Sequence, residues 1–149
     1  MLTDEEDARL EEEHAISRRV LKILKLRPIR YSYPKIDNPD DCYPDHTKTY
    51  KMSMSICVSE FLDGLTLRSD LNAALKRTAL EGTCDFEWPV GTHYGGNRHM
   101  HVSLTDPTWE EVFKLANEAF LSGRSVDHHF LECVRKDSKD GTVHFFFGS

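Results

Sequence analysis

The most regular pattern of apolar and polar residues runs from Thr105 to Phe147. After Pro107, apolar residues recur at helical spacing and predict an amphipathic helix that ends at Gly123. Asp106 is the expected N-cap, and Pro107 suits the first helical position because its missing N–H has no partner to lose there. We expect this helix to supply the centre of the hydrophobic core. Its apolar face consists of Trp109, Val112, Phe113, Ala116, Ala119 and Phe120.

Two β-hairpins are predicted on either side of this helix. Residues 128–134 and 142–147 are strand-like runs joined through an Asp-Gly turn, which is a hairpin signal. Residues 84–90 and 98–104 form a second pair of runs, separated by a Gly-rich segment. Apolar and polar residues alternate in the last of these runs, so its two faces differ. Met100, Val102 and Leu104 fall on one face, and His99, His101 and Ser103 fall on the other.

The segment before these hairpins predicts one strand and one helix. From Tyr50 to Phe61 apolar and polar residues alternate with period two, which is typical of a half-buried strand. A helix is then expected to begin at Thr66 or Ser69. Gly82 supplies the left-handed residue that commonly ends a helix.

The first third of the chain predicts a charged helix followed by an extended connection. Thr3 and Glu6 form a capping-box pattern, and the helix is expected to run to about Leu26. The prolines of residues 27–49 favour an extended connection because proline removes backbone donors and fixes φ. The apolar stripe of the helix allows two interpretations. It can dock on the body of the same chain, or it can bind a partner or a second copy.

Together these elements predict an α+β fold. We expect an antiparallel sheet of about five strands with two packed helices, in the order βαββαββ, related to the ferredoxin-like sandwich. The N-terminal charged helix is added to this body. We accordingly divide the chain into an amphipathic helix in residues 1–26, a Pro/Tyr-rich connection in residues 27–49, and an α+β body in residues 50–149.

The net charge of −6 in this chain of 149 residues is concentrated in one segment. Residues 1–13 contain seven acidic residues and one basic residue, which leaves eighteen of each in the remainder. A neutral body lacks the basic surface that phosphate backbones attract. The charge distribution therefore argues against nucleic acid as a partner.

Composition also restricts the expected location. No apolar run approaches the roughly 20 residues of a membrane-spanning helix, so no membrane contact is expected. The acidic N-terminus lacks the apolar region of a secretory signal. The cysteines contain no CxxC pair and match no zinc or disulfide framework, which favours a reducing compartment. We expect an intracellular protein, cytoplasmic or nuclear, that is not secreted. The cysteines are Cys42, Cys57, Cys84 and Cys133.

Histidines provide the one candidate for site chemistry. His99 and His101 are expected on one face of a strand, about 6.5–7 Å apart along the chain. A histidine at the start of the strand at residue 128 can be their neighbour in the sheet. Three imidazole nitrogens with an open position are typical of a catalytic zinc or iron site. The pattern admits a divalent metal or ligand site, but exposed or hydrogen-bonded histidines without a ligand are the favoured interpretation. The candidates are His93, His99, His101, His128 and His129.

Two functional hypotheses follow. The first is a small soluble binding protein that acts through macromolecular contacts, with a protein as a hetero-partner or as the second half of a homodimer. The residues expected to make these contacts are Ile16, Val20, Ile23, Leu24, Tyr31 and Tyr33. The alternative is a His-dependent metal- or ligand-binding enzyme with its site on the histidine face. The sequence contains no complete catalytic set, so no catalytic residue is assigned and enzyme activity stays open.

Overall fold

The computed structural model describes residues 3–32, 49–90, 98–123 and 128–148. Within these ranges the chain forms a mixed α+β fold with four helices and seven strands. The helices are α1 (Asp4–Leu24), α2 (Ser59–Leu62), α3 (Leu71–Leu75) and α4 (Trp109–Gly123). The strands are β1 (Ile29–Ser32), β2 (Thr49–Met52), β3 (Ser55–Ile56), β4 (Thr83–Val90), β5 (Arg98–Thr105), β6 (Phe130–Lys136) and β7 (Thr142–Gly148).

Five of the strands form one sheet in the order β3-β6-β7-β4-β5, and β1 pairs with β2 in a separate two-stranded sheet. The β4–β5 and β6–β7 pairs are antiparallel, so both predicted hairpins are confirmed. The β3–β6 and β4–β7 pairs are parallel. The sheet is therefore mixed, and the predicted antiparallel pairing holds for two of its four strand pairs. The closer relation to a ferredoxin-like sandwich stays a prediction.

The direction of α4 explains how the two hairpins come to lie side by side. Because β4 and β7 are parallel and each is antiparallel to its own hairpin partner, β5 and β6 run in the same direction. Parallel strands require a crossover, and α4 provides it by passing over one face of the sheet, where it packs against β4. The helix identified as the core element is thus also the connection that sets the strand order.

The N-terminus of α4 begins two residues later than the sequence predicts. The hydroxyl of Thr108 accepts a hydrogen bond from the N–H of Glu111, whose carboxylate accepts the N–H of Thr108 in return. This reciprocal pair is a capping box. Asp106 is not the N-cap; it has a positive φ of 48° and its carboxylate accepts the N–H of Gly82 at 2.6 Å. Asp106 thus fastens the end of β5 to the start of β4.

Replacing Thr108 by alanine should lower the free energy of unfolding by about 0.5–2 kcal/mol. The N–H of Glu111 loses its acceptor, and the return hydrogen bond from the N–H of residue 108 to the Glu111 carboxylate is no longer held in place. Chemical denaturation followed by circular dichroism measures this change. Thr108→Ser is the matched control, since serine keeps the capping oxygen. Equal stability of the alanine and serine variants would contradict the capping role.

The hydrophobic core lies between the helices and one face of the sheet. Phe61 of α2 is fully buried at its centre, with its ring centroid 4.9 Å from that of Phe113 and 5.6 Å from that of Trp109. Edge-to-face contacts of this kind are favoured by the ring quadrupoles. From the sheet, alternate residues of β4 point inward and are buried, namely Cys84, Phe86 and Trp88.

The segment predicted as one strand from Tyr50 to Phe61 changes its pairing partner halfway. Its alternation is expressed in burial, since Met54, Ile56 and Val58 are all inside the core. However, β2 pairs with β1, while β3 pairs with β6, and α2 then begins at residue 59. A period-two pattern reports which side chains are buried, and it does not report which strand lies alongside.

The helix predicted from Thr66 or Ser69 to Gly82 is confined to α3, for which Asp70 is the N-cap. After α3 the chain makes tertiary hydrogen bonds to the start of α4 instead. Ala79 N–H donates to the carbonyl of Pro107, at 2.7 Å. Gly82 does adopt a positive φ, of 78°, but several residues beyond the helix.

Candidate functional site

The side of the sheet opposite α4 carries polar and aromatic side chains, and we call it the open face. Because side chains alternate along each strand, the residues between the core positions of β4, β5, β6 and β7 project from it. Each of these side chains is exposed or partly exposed. The open face is formed by Asp85, Glu87, His99, His101, Ser103, Arg135, His144 and Phe146.

Two carboxylates of β4 bind side chains of β5 across the open face. The Ser103 hydroxyl donates to a carboxylate oxygen of Asp85 at 2.5 Å. His99 Nδ1 lies 3.1 Å from Glu87 Oε1, and His101 is directly opposite Glu87 in the strand register. These contacts orient β5 side chains on the surface, where water screens their contribution to stability.

An aromatic residue stands exposed on the central strand of the sheet. Phe146 of β7 has 46% of its surface exposed, although β7 has two strands on either side of it. The Arg135 guanidinium lies 5.5 Å from the centroid of its ring, a cation–π distance. His144, two residues before Phe146, is opposite Arg135 in the register. An apolar ring with a cation above it is thus presented near the middle of the open face.

Of the four candidate histidines that the structure describes, the strand order brings together two. His99 and His101 share the open face of β5 as predicted. His128 and His129 precede β6, which is separated from β5 by β7 and β4, a distance of roughly 14 Å across the sheet. His93 lies outside the described residues. Within the part of the chain that the structure describes, no group of three or more His, Cys, Asp or Glu side chains is arranged to hold a metal ion.

Most of the predicted partner-binding stripe of α1 lies inside the molecule. Ile16 and Val20 have no exposed surface, and Leu24 is also buried. Ile23 differs, with 38% of its surface exposed. Tyr31 lies in β1 opposite Tyr50 of β2, while Tyr33 lies outside the described residues. The stripe therefore serves mainly to dock α1 on its own chain.

Two polar contacts complete this docking of α1. The Ser17 hydroxyl, itself buried, accepts the N–H of Ile56 at 2.8 Å. The Arg9 guanidinium donates to the carbonyls of Leu62 and Leu65, at 3.1 and 2.9 Å. Ser17 thereby satisfies the outward N–H of the edge strand β3, and Arg9 supplies donors to carbonyls in the turn after α2.

The thiols do not form a nucleophilic site among the described residues. Cys57, Cys84 and Cys133 are free cysteines, of which Cys84 is fully buried and the other two partly so. Burial raises the pKa of the Cys57 thiol, and the charges of Glu132 and Glu13 raise it further. Because the thiolate is the reactive form, Cys57 is suited to a structural role rather than to catalysis.

Comparison with protein-family models, with curated proteins and with solved structures finds no significant match to this chain. The described helices include none that is both long and apolar enough to cross a membrane. The site must therefore be interpreted from its own geometry.

Sequence reasoning missed the pair formed by Phe146 and Arg135. A signal for it was present, because three consecutive phenylalanines in a strand cannot all point into the core. Phe145 and Phe147 point inward, so Phe146 points outward. The position of Arg135 was not foreseeable, since it depends on the register set by the turn from Asp137 to Gly141, which places Arg135 opposite His144.

Proposed function

We propose that this protein is an interaction module that binds another protein through the open face. The observation that carries the proposal is Phe146, an aromatic side chain with 46% of its surface exposed on the central strand. Aromatic residues and arginine are enriched among the side chains that dominate binding energy at protein interfaces. With Arg135 lying over its ring, Phe146 combines both types at one point.

The charges of the open face favour a protein as the partner. Asp85 and Glu87 lie on the same face as Arg135, so the surface has mixed sign. A polyanion such as nucleic acid would meet these carboxylates at close range. A protein surface, by contrast, can match both signs with its own side chains.

The polar groups around Phe146 suit the rim of such an interface. His99 and Ser103 are held by the carboxylates of β4, so they present oriented groups to a partner. Their ordering before binding reduces the conformational entropy lost in the complex. The open face thus combines an apolar centre with a partly ordered polar surround.

The test compares two variants of the full chain, each carrying a tag, expressed in the cells from which the sequence derives. Phe146→Ala removes the exposed ring, and Leu10→Ala/Ile23→Ala removes exposed apolar side chains of α1. Proteins that co-purify with each variant are quantified by mass spectrometry. For a partner that binds the open face, Phe146→Ala should weaken binding by about 30-fold, the equivalent of about 2 kcal/mol.

Thermal unfolding of both variants serves as the folding control. Retention of every partner by Phe146→Ala, with the wild-type fold preserved, would refute the proposal. Loss of partners in the α1 variant alone would instead locate the binding surface on the N-terminal helix.

A further inference from the structure

The five-stranded sheet has two edges that differ in what lies against them. At one edge lies β3, which has only two residues. The N–H of Ile56, which points away from the sheet, donates to the buried hydroxyl of Ser17 in α1. At the other edge β5 has eight residues, and no described strand pairs with its outer side. One edge is therefore short and has its outward N–H bonded by a helix, whereas the other is long and has no strand beside it in the part of the chain that the structure describes.

The hydrogen bonds of β4 determine where the peptide groups of β5 point. The N–H of Asp85 donates to the carbonyl of Gly141, toward β7, so the odd-numbered residues of β4 direct their peptide groups to β7. In an antiparallel pair, directly opposite residues alternate between bonded and non-bonded pairs. Since odd residues of β4 lie opposite odd residues of β5, the odd residues of β5 direct their N–H and C=O groups outward. The outward groups belong to His99, His101, Ser103 and Thr105.

Natural proteins prevent long edge strands from pairing with other chains by placing proline, lysine, a bulge or an inward-pointing charge in them. The eight residues of β5 pair with β4 in one continuous register without a bulge, and they include neither proline nor lysine. Its core-side residues, Met100, Val102 and Leu104, are only partly covered, and Met100 has 47% of its surface exposed. Among the described residues no strand pairs with the outward peptide groups of this edge, and an apolar strip lies beside them.

We propose that β5 pairs antiparallel with β5 of a second copy of this chain, joining two five-stranded sheets into one continuous sheet. Strand addition of this kind takes its affinity from main-chain hydrogen bonds and its specificity from the alternate side chains. The contact uses the outward peptide groups of β5 and not the side chains of the open face, so it goes beyond the proposed function.

The charge distribution fits a second copy at this edge. The residues of β5 include no acidic side chain, and the excess negative charge belongs to residues 1–13 at the start of α1. α1 contacts the sheet chiefly through β3, the edge strand farthest from β5 in the strand order, so pairing at β5 brings no acidic strand residues together.

The side-chain pattern of β5 is also self-complementary. In an antiparallel pair, opposite residues lie on the same face, so apolar residues must meet apolar residues. With the twofold axis at Val102, that residue meets its own copy, and Met100 meets the partner's Leu104. An axis at His101 would instead place two imidazoles opposite each other. The geometry favours the axis at Val102, because that axis aligns the whole apolar strip and keeps the two copies of His101 from facing each other.

The principal experiment compares His101→Pro with His101→Ala in the full chain. Both variants remove the imidazole, but only proline removes an outward N–H, and proline is tolerated at sheet edges. Native mass spectrometry and size-exclusion chromatography over a range of concentrations report the oligomeric state. We expect dimers for the wild type and for His101→Ala, and a monomer for His101→Pro. Phe146→Ala should remain dimeric, which separates this contact from the proposed function.

Amide hydrogen exchange on the wild-type chain tests the same contact without a substitution. At concentrations where the dimer is present, the amides of His99, His101 and Ser103 should exchange about tenfold or more slowly than after dilution. This measurement decides the question if His101→Pro does not fold. In the favoured register, Val102→Cys should form a disulfide between copies, because a non-hydrogen-bonded pair has a Cα separation of about 4.5 Å.

Three results would overturn the proposal. A wild-type chain that is monomeric at every concentration has no such contact. Protection of the outward amides in a monomer would show that another segment of the same chain covers β5. A dimer that persists in His101→Pro, or that is lost equally in His101→Ala, would depend on a surface or side chain other than the β5 backbone.

Discussion

Replacing Phe113 by alanine is expected to lower the free energy of unfolding by about 3–5 kcal/mol. The side chain is fully buried, and its ring centroid lies 4.9 Å from Phe61 and 5.5 Å from Trp109. Truncation therefore removes apolar contact from the centre of the core and leaves a cavity bounded by rings that cannot easily close it. Urea denaturation followed by far-UV circular dichroism measures the loss.

Phe146→Ala is the matched control, since it makes the same chemical change on the open face. With 46% of the ring exposed, its removal should change the stability by less than about 1 kcal/mol. The contrast between the two variants tests the assignment of inward and outward positions directly. A Phe113→Ala protein as stable as the wild type would contradict the central position of α4.

Replacing Ile16 by alanine should lower the free energy of unfolding by about 2–5 kcal/mol. Ile16 has no exposed surface, and the neighbouring Ser17 hydroxyl satisfies the buried edge of β3 through Ile56 N–H. Loosening α1 would therefore reduce apolar burial and also disturb a buried hydrogen bond. The same denaturation measurement gives the magnitude.

Ile23→Ala provides a control with the same side chain on the same helix. Because 38% of Ile23 is exposed, we expect a loss of less than about 1 kcal/mol. If both substitutions lowered the free energy of unfolding by less than about 1 kcal/mol, α1 would be only loosely attached. A partner-binding role for its apolar stripe would then become the better explanation. If Ile16→Ala alone is severe, the stripe is part of the core of the chain.

This pair of variants also bears on the division of the chain after residue 26. In the structure, α1 contributes Ile16, Val20 and Leu24 to the same core that α4 and the sheet form. Full burial of each such side chain stabilises by roughly 1.5–3 kcal/mol, against a typical total of 5–15 kcal/mol. The N-terminal helix and the α+β body therefore depend on each other for stability.

The elements that the sequence predicted well are those governed by local patterns. The capping box of Thr3 and Glu6 does begin α1, and that helix ends at Leu24, close to the expected Leu26. The apolar face of α4 is buried along its whole length, as the helical spacing indicated. Helix caps and helical periodicity involve residues three or four apart, so their physics is contained in the sequence.

The elements that the sequence predicted poorly depend on contacts with residues far away in the chain. Asp106 has the chemistry of an N-cap, but the N–H of Gly82, 24 residues earlier, takes its carboxylate. The helix expected to reach Gly82 stops at Leu75 because the following residues pair with the start of α4 instead. In both cases a tertiary hydrogen bond outweighed a local preference of about 1 kcal/mol.

The candidate histidine site also divides into a part that local sequence patterns predict and a part that depends on the tertiary structure. The alternation in β5 was sufficient to place His99 and His101 on one face, and the structure agrees. It was not sufficient to place His128 and His129, because their distance from β5 depends on the strand order. The spacing of histidines in the sequence thus shows which of them share a face of one strand, but it does not show which histidines of different strands come together.

By itself, the sequence determined the α+β class, the two hairpins, the long helices α1 and α4, and the alternation of faces along residues 54–58 and 99–104. Only the tertiary structure decided that β4 and β7 are parallel, that α1 satisfies the edge at β3, and that β5 forms the other edge. The reason is physical. Periodicity and turn chemistry act between residues close in the chain, whereas the order of strands follows from which apolar faces pack together after the helices cross the sheet.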